Sequence, residues 1–267
     1  MAQYGIRIVP VSFYSGGKVY KDWLDITPAE AYELFLKDPE SFKTSAASPE
    51  DCLKAYREAS QQAKNILCIT ISAKLSAVYS VAQGAKEQAK TELPQTSIEV
   101  LDSQTATATE GFIALAAARA AAEGEGLAEV IKAAEEVRDR VRLVALMDTV
   151  RYVYRTGRIP KVAAWAGSML NIRPIFTISS GVPHFMSAVR NKERGTDRLL
   201  KIMSDKVGLN PVHVAVMHAY ALDEAEKLKE RVSSEFNCAE LWITEFSPVM
   251  GYACGTGTLG LAFYSEG

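Results

Sequence analysis

For its first 147 residues the chain switches between two hydrophobic periods, and that alternation limits the folds open to it. Residues 65–72 (NILCITIS) form a continuous apolar run rich in β-branched residues. Such a run suits a strand covered on both faces. Residues 97–101 and 141–147 read as further strands. Helical stretches lie between them. Thr27-Pro28-Ala29-Glu30 opens one, with Thr27 as cap, Pro28 at the first helical position and Glu30 closing a capping box. Ser48-Pro49-Glu50-Asp51 repeats that logic and predicts a helix to about Ala63. Further helices are expected over 76–91, over the alanine-rich 105–122, stopped by Gly124 and Gly126, and over 127–139. Ahead of all of these, residues 6–13 alternate as a strand, and Val19-Tyr20 pairs back across a turn at Ser15-Gly16-Gly17-Lys18. Strands alternating with helices predict a mainly parallel sheet flanked by helices, with right-handed crossovers.

The second half is less regular. Residues 152–157 are polar and aromatic. Residues 172–179 and 182–190 read as two strands joined at Ser180-Gly181. A helix over 196–207, a buried strand over 212–217, a helix over 222–235 and a strand over 239–246 follow, and a glycine-rich loop leads to a last strand over 259–264. The fold expected is α/β and two-lobed. Residues 1–147 form the N-terminal lobe and 148–267 a mixed-sheet α/β C-terminal lobe, with a ligand cleft between them.

Composition narrows the partners. Thirty Lys+Arg against 32 Asp+Glu leave a formal charge of −2, with no basic stripe of the kind that nucleic-acid binders carry. The four cysteines, Cys52, Cys68, Cys238 and Cys254, form no C-x-x-C pair, so neither a zinc site nor a redox motif is signalled. Residues 1–17 lack a basic start followed by a long apolar run, and a cytoplasmic protein with reduced thiols is expected. The most apolar helix candidate, residues 112–122, falls short of the ~20 apolar residues that span a bilayer.

The chemical motifs are sparse. Gly255-Thr256-Gly257-Thr258-Leu259-Gly260 has dinucleotide-fingerprint spacing, but the few residues after Gly260 leave no room for the helix such a site needs. A backbone turn or a close approach is the better reading. No nucleophile elbow and no H-E-x-x-H occur, and His184, His213 and His218 read first as structural or surface residues. A small-molecule enzyme on this scaffold would draw its base from Asp102 or His218. No catalytic residue, metal ligand or cofactor is assigned. Two hydroxyl-rich loops stand out: Thr44-Ser45 before Ser48, and Ser72-Ala73-Lys74-Leu75-Ser76 between a buried strand and a helix. The second lies where α/β ligand sites collect, at the carboxyl end of a parallel strand. Hydroxyls and free N–H groups there can hold a carboxylate or phosphate, or can simply cap the helices.

Eight stretches in order resemble the DegV family over essentially the whole chain. They are Tyr4-Gly5-Ile6 through Val11; Tyr20-Lys21-Asp22 with Asp25-Ile26; Thr44-Ser45; Ile71-Ser72 with Leu75-Ser76 and Tyr79; Leu101-Asp102-Ser103 with Gly111; Gly157-Arg158-Ile159; Arg173-Pro174-Ile175 with Gly181; and Gly255 with Gly257 to Gly260. The resemblance implies a non-catalytic, two-lobed protein that binds a long-chain fatty acid between its lobes. It also implies a partner, a separate ATP-dependent kinase subunit that phosphorylates the presented carboxylate. By resemblance the carboxylate falls to Thr44, Ser76 and the Ala77 N–H. Ser45, Ser103, Arg158 and Arg173 are further candidate contacts with ligand or partner. Ile172, Ile175 and Phe176 are candidate tail liners. The family opens with a strand and an Asp-Ser-Thr loop, and this chain begins after them, which leaves the expected first sheet one strand short. Ala77-Val78 stands for the family's Gly-Thr, and Ala253 for its usual His. A member binding another apolar ligand, or acting as a regulatory partner, is the alternative.

Overall fold

The computed structural model describes residues 2–149, 151–158 and 172–266. Strands β1 (Ser12–Ser15), β2 (Lys18–Lys21) and β3 (Lys43–Ser45) form an antiparallel ribbon in the order β2-β1-β3. Gly16 (φ 57°) and Gly17 (φ 83°) make the two-residue turn between β1 and β2. Positive φ at both positions matches the twist of the flanking strands. Helices α1 (Pro28–Lys37) and α2 (Pro49–Ser60) start as the sequence predicts, on capping boxes of Thr27 with Glu30 and Ser48 with Asp51.

Strands β4 (Asn65–Thr70) and β5 (Ser97–Asp102) pair in parallel across α3 (Val78–Glu92). Two antiparallel-packed helices follow, α4 (Ala108–Ala122) and α5 (Leu127–Arg140). The rest of the described chain is β6 (Arg142–Leu146), a short α6 (Arg151–Thr156), β7 (Arg173–Ser179), β8 (Val182–Val189), α7 (Lys192–Val207), β9 (Val212–His218), α8 (Leu222–Glu235), β10 (Cys238–Glu245), α9 (Pro248–Cys254) and β11 (Leu259–Ser265). Six of these strands make one mixed sheet in the order β10-β9-β11-β6-β7-β8.

Side-chain alternation along the strands sorts the core into layers. On one face of β4–β5, Ile66, Cys68, Ile98 and Val100 pack on α2 and α3. On the other face, Leu67, Ile69 and Leu101 meet the apolar side chains of α4 and α5. The same two helices cover one face of the large sheet, through Leu143, Ala145, Ala215, Ala262 and Tyr264. Its opposite face carries Val144, Leu146, Val214, Val216, Leu261 and Phe263 against α7 and α8. The order is α2/α3, small sheet, α4/α5, large sheet, α7/α8. A helix covered from two sides must be apolar nearly all round, and ATEGFIALAAARAAA in α4 is such a sequence. Arg119 of α4 adds a charged tie to the large sheet, pairing with Glu240 of β10.

Several boundaries differ from the sequence reading. Pairing in the first strand begins only at Ser12, because the hairpin turn sets its register and Pro10 has no N–H to donate. Helix α7 starts four residues early, on Asn191, whose side chain accepts from the Arg194 N–H. Strand β6, read as the last strand of the first lobe, hydrogen-bonds to β11 and β7, antiparallel to both. A strand covered on both faces carries no mark of which sheet it joins. Helix α9 was not expected at all. It starts on Ser247-Pro248 and packs on α1, where the Tyr32 hydroxyl donates to the Phe246 carbonyl at 2.9 Å. Ile159, and the rest of the region between residues 158 and 172, lie outside the described residues.

Gly251 of α9 sits against the Tyr32 ring, so an added Cβ there would overlap the ring and its hydroxyl. Gly251→Ala is expected to destabilise the protein by about 1–3 kcal/mol through overpacking. Comparison of urea midpoints at constant m-value checks this.

Candidate functional site

At the carboxyl end of β4 the chain turns sharply around Ser72. The Ser72 N–H donates to the Thr105 carbonyl at 2.8 Å, and its own carbonyl accepts from Leu75 (2.9 Å) and Ser76 (3.2 Å). Ala77 is the N-cap of α3 and supplies no side-chain cap. The Ser76 hydroxyl accepts from the Val78 N–H at 3.3 Å, one residue ahead of the cap position that a purely capping role would give it. The first N–H groups of a helix have no partner within it, and the first turn of α3 lines a cavity of about 400 Å³. The same cavity is lined by Lys74, Leu75, Ser76, Ala77, Tyr79 and Arg158.

Two cations stand at this cavity, and among the described residues no carboxylate lines it. Lys74 Nζ donates to the Ser180 carbonyl at 3.0 Å, and Arg158 Nε reaches the Leu75 carbonyl at 3.4 Å. Hydroxyl, helix N-terminus and two cations together favour an anionic group. Lys74 was visible inside the quoted loop, but its charge is missed when only hydroxyls are weighed.

Of the residues named from the sequence, Ser76, Ala77 and Arg158 come together here. Thr44 is on β3, opposite Phe13 and half-buried, and is not part of this lining. A second cavity of about 320 Å³ joins Pro49, at the start of α2, to Ser80 and Val81 of α3. Ser80 lines both cavities, and the second runs on along α3 to Gly84 and Gln88; no residue from Thr44 to Ser48 lines either one. Ser45 is exposed and alternates to the opposite face of the ribbon from Thr44. Ser48 acts as a cap.

The remaining candidates lie elsewhere. Ser103 is buried, and its hydroxyl accepts from the Thr105 N–H at 3.3 Å, so it shapes its own turn. Arg173 donates to Asp148 at 2.8 Å and to the Arg190 carbonyl at 3.1 Å, in a network that Lys192 extends to Glu224. Ile175 and Phe176 point to opposite faces of the large sheet. Ile175 is fully buried against the α7 side, while Phe176 faces the α4/α5 side and meets Phe185 edge-on at 5.9 Å. Ile172 is half-buried just ahead of β7. The glycine-rich loop makes close approaches: a Cβ on Gly257 would overlap the Asp148 carboxylate, and one on Gly255 would stand 2.5 Å from the Tyr152 ring.

The two candidate bases are far from assembled. Asp102 Oδ1 accepts from the N–H groups of Ala73 (3.2 Å) and Gln104 (2.8 Å). His218 Nδ1 accepts from the Ala221 N–H at 3.3 Å, and burial pushes its pKa down, which keeps the ring neutral. Among the described residues no cluster of His, Cys, Asp and Glu could hold a metal ion, and no helix is long and apolar enough to cross a membrane.

Comparison with known proteins aligns this chain with one family throughout. The model of the family described as "Uncharacterised protein, DegV family" matches residues 1–266. A DegV domain-containing protein of Clostridium acetobutylicum is 32% identical over 267 residues, covering 99% of this chain and 92% of the relative. A solved structure described as showing fatty acid binding of a DegV family protein from Thermus thermophilus is 28% identical. It superposes with a TM-score of 0.89 over 99% of this chain and 94% of its own. DegV of Bacillus subtilis, described as a fatty acid binding protein, shares the fold at a TM-score of 0.89 and 24% identity, over 99% and 93% of the two chains.

One half-buried group in an apolar setting was not foreseen. Burial pushes the Glu110 carboxyl, in the first turn of α4, from an ordinary 4.5 up to about 8. A pKa raised on folding gives stability that is full below pH 4.5 and is lost as pH rises to about 8. Glu110→Gln keeps the group neutral. Its stability gain over the parent should be nil near pH 4 and grow up to pH 8, then level off, in urea denaturation across that range.

Proposed function

The chain belongs to the DegV family, and on that premise we propose that it binds one long-chain fatty acid, with the carboxylate held at the Ser76 cavity. The observation that carries this reading is the lining of that cavity. The start of α3, where Ala77 at the N-cap offers no side-chain hydrogen bond, the Ser76 hydroxyl, Lys74 and Arg158 all favour an anion, and among the described residues no carboxylate lines the cavity, Asp102 standing behind it on the Ala73 N–H. Fatty acid binding by the Thermus thermophilus relative, similar along nearly the whole chain, supports the choice of anion. Thr44, which is outside the lining of that cavity, enters as the second hydroxyl on the family resemblance alone.

The energetics suit such a ligand. A C16–C18 tail at ~0.8 kcal/mol per buried CH₂ gives on the order of 10 kcal/mol before the costs of association. The head group therefore needs orientation more than strong neutralisation. It stays at the end of a helix, in an open cavity, where a second protein can reach it. The partner in this reading is a separate ATP-dependent kinase subunit. A carboxylate oxygen attacks the γ-phosphorus of ATP, ADP leaves, and an acyl phosphate forms on the bound ligand. This chain contributes no catalytic residue to that step. Its part is to shield the tail and to present the oxygen.

Removing both hydroxyls tests the site. Thr44→Ala/Ser76→Ala is expected to weaken palmitate binding by roughly a hundredfold, the value of two hydrogen bonds to a charged group. The thermal midpoint should stay close to that of the parent. Calorimetric titration measures the loss, and unchanged affinity removes the head-group site.

A further inference from the structure

Ser72 holds more than its own loop. It is fully buried, and its hydroxyl donates to the Gly181 carbonyl at 2.8 Å while accepting from the Lys74 N–H at 3.2 Å. Gly181 and Ser180 form the tip of the β7–β8 hairpin, which belongs to the large sheet. Lys74 Nζ reaches the same tip, at the Ser180 carbonyl. The β4–α3 loop is thus joined to the large sheet by two hydrogen bonds from side chains two residues apart.

The fit is close. Gly181 has φ +80°, which a side chain would strain, and a Cβ there would stand 2.5 Å from Ser72 Oγ and 3.5 Å from Lys74 Cδ. Ser180, with φ 49°, is also in left-handed backbone. Both residues of the turn are therefore shaped to bring two carbonyls against Ser72 and Lys74. The clasp bears directly on the cavity. It fixes where the Lys74 ammonium stands, and Ser72 also accepts the Ser76 N–H through its carbonyl.

We propose that Ser72 and Gly181 are positioning residues of the ligand site, forming a clasp that holds Ser76 and Lys74 in the geometry that receives the carboxylate. The proposal rests on the fatty-acid reading above. Ser72 has no exposed surface and acts only through the loop it organises. A bound ligand and a closed clasp then stabilise each other, since each favours the same loop conformation.

The test is a mutant cycle read by palmitate affinity. Ser72→Ala and Gly181→Ala should each weaken binding about tenfold, the value of one good hydrogen bond with its geometry. The Ser72→Ala/Gly181→Ala double variant should bind about as well as either single one, because both changes undo the same clasp, one by removing the hydroxyl and the other by straining the turn that carries its acceptor. Losses that multiply to about a hundredfold would mean two independent defects and overturn the clasp. Thr44→Ala/Ser76→Ala runs alongside. If it loses palmitate while Ser72→Ala and Gly181→Ala bind as the parent does, the clasp alone fails; if it binds as the parent does, the head-group reading fails. Should Gly181→Ala not fold, amide exchange in Ser72→Ala decides. The Leu75 and Ser76 amides should exchange faster while those of α7 are unchanged, and unaltered exchange at Leu75 and Ser76 overturns the proposal.

Discussion

The helical layer of α4 and α5 carries two sheets at once. Leu67, Ile69 and Leu101 press on it from the small sheet, and Leu143, Ala145, Ala215 and Ala262 from the large one. A helix covered on both sides cannot hold a stripe of charge, which explains the run of alanines in α4 and the alanines facing the layer on β6, β9 and β11, while α5 keeps a charged outer face. Small residues on both surfaces let the backbones approach. The larger Val, Leu and Phe side chains of the same strands turn to the other face, where α7 and α8 cover them. Everything placed by the small sheet is thereby placed against the large one, the Ser76 loop included.

In the proposed reading, that loop is an anion site made by an α/β scaffold without a buried charge. The strand ends, the backbone turns on Ser72, and a fifteen-residue helix begins with no side-chain hydrogen bond from its N-cap residue Ala77. The helix dipole and free N–H groups supply part of the positive potential. Lys74 and Arg158 supply the rest from partly or fully solvated positions, each tied by a hydrogen bond to a backbone carbonyl. Ser72 and Lys74 tie this loop to the hairpin tip, so it is held from the far sheet as well as from its own.

Local signals in the sequence were read well and long-range ones were not. The capping boxes at Thr27 and Ser48 sit where they were expected, because all their partners lie within three residues. The Ser180-Gly181 turn is equally local. Strand β6 could not be assigned to a sheet, since its neighbours β11 and β7 lie far along the chain. The same holds for Ile175 and Phe176. Adjacent residues on a strand face opposite ways, and which of the two meets the α4/α5 side depends on the sheet's surroundings. The loop of Ser72 to Ser76 stands out as a candidate because its position, after a buried strand and before a helix, is itself a local pattern. Its attachment to Gly181 was not legible, because 109 residues separate donor and acceptor.

The claim that this scaffold encloses a fatty acid is tested most directly by what the protein carries. Protein purified from bacterial cells should be extracted with organic solvent and the extract read by mass spectrometry, with protein quantified in the same sample. About one long-chain fatty acid per chain is the predicted result. Well-folded protein whose extract holds no fatty acid, and which takes up none when palmitate is added, would contradict the account.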